Sequence, residues 1–192
     1  DLHVRSRRQR QMCIRDRVQA IQQGLEKFSG VGRRFQNYGK VFLPHRRGHA
    51  LLFDDYGHHP VELHTTIEAA RLAYPNRRLV LVFQPHRYTR TRDLFEDFIK
   101  ELKTADLLIL TEVYAAGEKR IDNADSRALA RSLRLQNMDS KLIYEADLTK
   151  LAPLVLEQAR EGDLILTMGA GNISRVPSEL LALAKEKQRA LS

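Results

Sequence analysis

Leu79-Val80-Leu81-Val82-Phe83 is the stretch that decides the fold. Five apolar residues in a row, without alternation, make a strand buried on both faces, as in a parallel sheet covered by helices on either side. Its flanks agree. Pro75-Asn76 stops a helical pattern before it, and the polar run Gln84-Pro85-His86-Arg87-Tyr88-Thr89-Arg90-Thr91-Arg92 begins where it ends.

The rhythm repeats in both directions. Toward the C-terminus, Leu94, Phe95, Phe98, Ile99 and Leu102 make a helical stripe, Leu107 to Leu110 a strand, and Ala128, Leu129, Ser132 and Leu133 a second helix. Lys141 to Tyr144 reads as a short strand, followed by a helix capped by Asp147 with Leu148, Leu151 and Val155 inward. Leu164-Ile165-Leu166 is the last strand, and a helix from about Pro177 closes the chain. Toward the N-terminus, Pro60 to about Tyr74 is a helix with Leu63, Ile67, Ala70 and Tyr74 on one face. Gly48 to Asp54 and Arg34 to Leu43 are strands joined through Pro44-His45-Arg46-Arg47. Val18, Ile21, Leu25 and Phe28 mark a helix ended by Gly30-Val31-Gly32. Strands alternating with helices of this length predict an α/β fold, a mainly parallel sheet flanked by helices, with right-handed crossovers.

Composition narrows the function classes. The chain has 192 residues, 43% of them hydrophobic and 29% charged, the balance of a soluble globular domain. It contains neither a membrane-spanning apolar run nor a secretory leader pattern. One cysteine, Cys13, excludes an intrachain disulfide and agrees with a reducing compartment. The formal charge of +8 raises the question of nucleic acid. Half of it lies in residues 1–17, where six arginines face Asp1 and Asp16, leaving an ordinary +4 for the rest. No basic helix or aromatic-basic interleaving accompanies it, so neither a nucleic-acid nor a membrane partner is expected. Residues 1–17 have no apolar period and read as a disordered or non-native tail; Gln11 to Arg17 resembles a translated adapter sequence.

Candidate site residues fall at strand ends, where α/β proteins collect ligands. Asp54-Asp55-Tyr56-Gly57-His58-His59-Pro60 crowds carboxylates, a phenol and two imidazoles between a strand and a helix. Adjacent histidines diverge, so His58 and His59 do not share a metal; one faces a ligand while the other caps or pins the turn. With His64 and His86 a metal site would need ligands from separate loops. Asp54 or Asp55 suits a ribose or an imidazole tautomer, or else caps the helix at Pro60. Arg87 and Arg90, three residues apart in a loop entering a helix, can converge on one anion with the helix N-terminus adding its field. Alternatively they form a solvated patch or pair with Glu96 and Asp97. Gly169-Ala170-Gly171-Asn172 offers an anion-binding turn of amides. Glu112 and Tyr114 sit at a strand end where packing and ligand contact are equally open. No dinucleotide fingerprint or phosphate loop occurs.

Five segments, in order, resemble the Mur ligase family of bacterial peptidoglycan synthesis. They are Gly30 to Gln36, Asp54 to Pro60, Gln84 to Arg92, Thr111 to Glu118 and Gly169 to Ile173. Within the family, Tyr56-Gly57-His58-His59-Pro60 and Pro85-His86-Arg87-Tyr88-Thr89-Arg90 resemble the member that adds L-alanine. The resemblance implies a Rossmann-like C-terminal domain, cytoplasmic, from an ATP- and Mg2+-dependent ligase joining L-alanine to UDP-N-acetylmuramate through an acyl phosphate. It implies that Arg87 and Arg90 bind the alanine carboxylate and that Tyr56 and His58 line that pocket. Arg34 would touch the nucleotide at a hinge, with Asp55 near its ribose. Residues 18–32 would be the end of a central domain and its hinge, and 33–192 the amino-acid-binding domain. The UDP-binding and ATPase domains, with most Mg2+ ligands, have no counterpart here, so the chain is expected to be inactive alone. Ser174 stands where the family usually has glycine. Two other readings compete. A free-standing module sensing an amino acid or nucleotide would use the same arginines, and a basic RNA-binding protein would bind in a salt-dependent way.

Overall fold

The computed structural model describes residues 32–44, 48–138 and 141–191. The tail at 1–17, the helix expected over Val18–Phe28 and the connection at 45–47 lie outside them.

Six strands form one sheet: β1 (Gln36–Leu43), β2 (Gly48–Asp55), β3 (Leu79–Phe83), β4 (Leu107–Leu110), β5 (Leu142–Tyr144) and β6 (Leu164–Met168). Their order across the sheet is β1-β2-β6-β3-β4-β5. β1 is antiparallel to β2. The other pairs are parallel. The helices are α1 (Pro60–Ala73), α2 (Tyr88–Asp93), α3 (Phe95–Leu102), α4 (Ser126–Leu133), α5 (Leu151–Gln158) and α6 (Val176–Arg189).

β3 earns its place at the centre by its residues. All five are buried, and the pleat sends Leu79, Leu81 and Phe83 to one face and Val80 and Val82 to the other. On the first face they meet Leu63 and Ile67 of α1, Phe98 and Ile99 of α3, and Leu129 of α4. On the second they meet Val155 of α5 and Val176 and Leu180 of α6. Each such side chain contributes about 1.5–3 kcal/mol by leaving water, so this one strand anchors both layers.

Three differences from the sequence reading have local causes. β1 starts at Gln36, not Arg34, because Arg33 and Phe35 take positive φ (58° and 42°) and fold the chain over the sheet edge. The helix expected over Leu94–Leu102 is preceded by a separate α2, with the break at Leu94, whose φ of −118° and ψ of 27° leave the helical region. Asp147 does cap, accepting from Thr149 N at 3.0 Å, but the capped element is a 3-10 turn, Leu148–Lys150, that runs into α5. Likewise a 3-10 turn, Asn172–Arg175, leads into α6; Ser174 sits there without a left-handed φ, so serine fits. Among the described residues no helix is long and apolar enough to cross a membrane.

The architecture puts the loops after β2, β3, β4 and β6 at one carboxyl edge of the sheet. That edge is where the candidate residues gather.

Candidate functional site

Two aspartates end β2, and neither faces solvent. Asp54 is 0% exposed. Its Oδ2 accepts from Arg33 Nε at 2.7 Å and its Oδ1 from Thr167 Oγ1 at 2.6 Å. Arg33 Nη2 also donates to Gly169 O at 2.6 Å, so one guanidinium joins the chain before β1 to the ends of β2 and β6. A buried carboxylate needs such pairing. Asp55 is also buried; it accepts from Phe35 N and Gly57 N, both at 2.7 Å. Its oxygens thus hold the protein's own backbone.

The turn after β2 is rigid. Gly57 fits because a Cβ there would lie 2.8 Å from Met168 Cε and 2.9 Å from Asp55 Oδ1. His59, not an aspartate, caps α1: its Nδ1 accepts from Val61 N at 3.3 Å. Glu62 closes a capping box by accepting from His58 N and His59 N at 2.9 and 3.0 Å. Burial works to raise the Glu62 carboxyl, but these amides, with His58 and Arg34 nearby, hold it below its ordinary value. With His59 committed, the exposed Tyr56 and the partly buried His58 are left, their rings 5.2 Å apart edge to face. His58 Nδ1 lies 3.1 Å from Tyr56 O, which can only accept. The neutral ring therefore carries its proton on Nδ1 and offers a lone pair on Nε2.

The loop after β3 is stitched to its neighbours. Gln84, 2% exposed, donates to Asn172 Oδ1 at 2.8 Å and Glu112 O at 3.3 Å, and accepts from Ile173 N at 3.1 Å. Tyr114 N donates to Pro85 O, and Arg87 N to Tyr114 O, both at 2.9 Å. The His86 and Tyr114 rings stack at 5.5 Å and 16°. Arg87 holds φ at 71°, the strained kind of backbone that collects at ligand sites. Its side chain is half-exposed, 3.9 Å from Glu118 rather than paired with Glu96 or Asp97. Glu118 also occupies the start of α2, accepting from Thr89 N and Oγ1 at 3.0 and 2.7 Å. Those bonds lower its carboxyl, so the helix field expected for a bound anion already serves this side chain.

Arg90 Nη1 donates to His86 O at 3.1 Å and meets His86 Nδ1 at 3.2 Å. The His86 ring in turn lies 5.3 Å from the His58 ring. Arg33 and Arg34 sit over the far ring, 5.4 and 5.8 Å from the centre of Tyr56. Tyr56, His58, Arg87 and Arg90 are thus drawn into one cluster, with His86 as the link. His86 is also kept from protonation, first by burial, then by His58, Arg90 and Arg87, with Glu118 opposing. Arg34 stays open: its side chain is 53% exposed and, besides the Tyr56 ring, lies 3.6 Å from the Glu62 carboxylate.

Other expectations resolve differently. In the glycine turn after β6 the Gly169 amide bonds to Asp55 O, and just beyond the turn the amides of Ile173 and Ser174 bond to Gln84 Oε1 and Gly171 O. Glu112 accepts from Tyr144 OH at 2.8 Å, away from the cluster, whereas Tyr114 belongs to it. His64 pairs with Glu101 at 2.9 Å, between α1 and α3. Among the described residues no three His, Cys, Asp or Glu side chains are grouped to hold a metal ion.

Residues 33–171 match the family profile of the Mur ligase glutamate ligase domain. This chain belongs to the Mur ligase family. A UDP-N-acetylmuramate–L-alanine ligase of Neisseria meningitidis serogroup A is 60% identical over 169 residues, covering 88% of this chain and 36% of that protein. The ligase of the same name from Chromobacterium violaceum is 54% identical over 167 residues, 87% of this chain and 36% of that one. The chain therefore spans about a third of these relatives' length. Among solved structures, the UDP-N-acetylmuramate-alanine ligase of Thermotoga maritima superposes with a TM-score of 0.64 at 26% identity, over 85% of this chain and 32% of its own. A murein peptide ligase of Psychrobacter arcticus shares the fold, with a TM-score of 0.60 at 19% identity over 83% of this chain and 31% of its own. The Mur ligase match begins at Arg33, the residue that bolts β2 to β6.

Proposed function

We propose that residues 33–192 are the amino-acid-binding domain of a cytoplasmic UDP-N-acetylmuramate–L-alanine ligase, with 18–32 a hinge segment and 1–17 outside the functional unit. The observation that carries this reading is the His86 ring, within 5.3 Å of His58 and hydrogen-bonded to Arg90. It brings the arginine loop and the aromatic-imidazole turn together at one edge of the sheet. A small zwitterion suits such a pairing of cations with acceptors. Arg87 and Arg90 take the carboxylate, for which a guanidinium fork is well matched. Tyr56 walls the pocket, and the His58 Nε2 lone pair accepts from the amine and sets its direction. Arg34, exposed beside Tyr56, reaches the nucleotide, and Asp55 secures the corner on which Arg34 stands.

In the whole ligase ATP would be the co-substrate whose γ-phosphoryl group passes to the lactyl carboxylate of UDP-N-acetylmuramate, giving an acyl phosphate and releasing ADP. The alanine nitrogen then bonds to that carbonyl carbon and inorganic phosphate leaves. This domain's share is positioning, worth several of the ~7–11 kcal/mol that orientation can supply. It requires closure onto the nucleotide-bearing part of the ligase.

The test is a chimera in which residues 33–192 replace the matching segment of the Neisseria meningitidis relative, assayed for phosphate release. Turnover dependent on L-alanine is expected. Arg87→Ala and Arg90→Ala should each raise the alanine KM about tenfold or more, as loss of a charged hydrogen bond does, and leave the ATP KM unchanged. An unaltered alanine KM in both variants sinks the assignment.

A further inference from the structure

We propose that His86 is a positioning residue for Arg90: uncharged, with its proton on Nε2, it holds one edge of the guanidinium and turns the other toward the substrate carboxylate. The inference rests on the reading of an amino-acid carboxylate as the ligand of Arg90. It begins from an asymmetry in hydrogen bonding. A guanidinium only donates, so the 3.2 Å contact with Arg90 Nη1 requires a lone pair on His86 Nδ1. The other Nη1 proton goes to His86 O at 3.1 Å. Nη1 is thereby used up by a single residue. Among the described residues Nε and Nη2 donate to nothing, and these two form the parallel pair that grips a carboxylate in bidentate fashion.

The imidazole is itself held. Tyr114 stacks on one side at 5.5 Å and His58 leans on it at 5.3 Å. Backbone bonds from Tyr114 to Pro85 and from Arg87 to Tyr114 fix the loop beneath. The charged and titratable groups around the ring are Arg87 and Arg90 from its own loop, His58 from the turn after β2, and Tyr114 and Glu118 from the loop after β4. Three of these carry or can carry positive charge. Glu118 opposes them but is bonded to Thr89. Burial and the neighbouring positive groups lower the His86 pKa below its ordinary 6.5. Protonation would turn the Nδ1 acceptor into a donor aimed at a donor, and Arg90 would swing free.

Three substitutions separate this role from mere packing. Asparagine places its amide oxygen near the Nδ1 position and does not titrate; glutamine places it near Nε2; alanine has no acceptor. In the chimera, H86N should keep the alanine KM within about threefold of the parent, while H86Q and H86A raise it about tenfold or more with kcat changed far less, the size expected for one hydrogen bond to a charged group. Below pH 6.5 the parent's alanine KM should climb, and H86N should lack that part of the climb. A long-range 15N spectrum of the 192-residue chain should find His86 in the Nε2–H form at pH 7.5. An Nδ1–H form, or an alanine KM that H86A leaves unmoved while R90A raises it, overturns the proposal and spares the binding site. If R90A and R87A also leave the alanine KM unmoved, the binding site falls with it.

Discussion

Asp54 and Arg33 are separated by 21 residues in sequence and by 2.7 Å in space, and the carboxylate has no exposed surface. Removing the cation while keeping the shape, as in Arg33→Met, leaves that charge buried with only Thr167 to answer it. A loss of about 3–5 kcal/mol is expected in urea unfolding, the usual result of stranding one half of a buried pair. Adding Asp54→Asn should restore part of it, and simple additivity of the two losses would argue against a shared bond. Glu62 makes a second prediction, this time in pH. Its carboxyl sits below 4.5 in the folded chain, so ionisation favours the folded state. Its contribution is full above pH 4.5 and fades as pH falls through the lower folded value. Glu62→Gln should flatten that acid limb and cost about 0.5–2 kcal/mol at neutral pH, in the range of a lost cap. Of these residues, Glu62 was visible in principle: it stands three places after His59 and follows Pro60, a capping box with imidazole in place of hydroxyl. Arg33 was not. It gave no periodic signal, and its partners Asp54 and Gly169 come near only when β2 and β6 pair.

At the scale of elements, the loop ends after β3, β4 and β6 behave as one piece because Gln84, just past β3, bonds to the other two. Gly171 is where they come closest. A Cβ there would overlap Gln84 Oε1 and sit 2.6 Å from the Tyr114 ring. Gly171→Ala should therefore cost about 1–3 kcal/mol, as overpacking does. Because Tyr114 backs His86, it should also raise the alanine KM of the chimera; a variant that loses stability with that KM intact would separate packing from the site. Reading elements from sequence worked where side chains face two cores. β3 and β4 were bounded to the residue, since each is an unbroken apolar run. It failed where backbone geometry decides, at the positive φ of Arg33 and Phe35 and at the break before Phe95. The insertion of β6 between β2 and β3 has no local mark, because strand order depends on how crossovers pack and not on any one segment. The site followed the same division. Tyr56, His58, Arg87 and Arg90 stood out as chemistry at strand ends, but their joining through His86 needed the parallel pairing that aligns those ends.

For the whole molecule, charge and fold point to different parts of the chain. The compact unit runs from Arg33 to Ser192, and the family match starts at the same residue. Half of the +8 formal charge lies in residues 1–17, outside that unit. Counterion release makes nucleic-acid affinity depend on how many phosphates a protein neutralises, so six clustered arginines suffice for weak, salt-sensitive binding without a built site. Deleting residues 1–17 should remove any RNA binding seen at low salt and leave the chemical shifts of Tyr114 and His86 in place. Salt-dependent RNA binding that persists at full strength in residues 18–192 would mean that the folded unit itself carries a phosphate surface. The +4 left to those residues would then have to be gathered on one face, and Arg87 and Arg90 would be read as part of it and not as the grip on an amino acid.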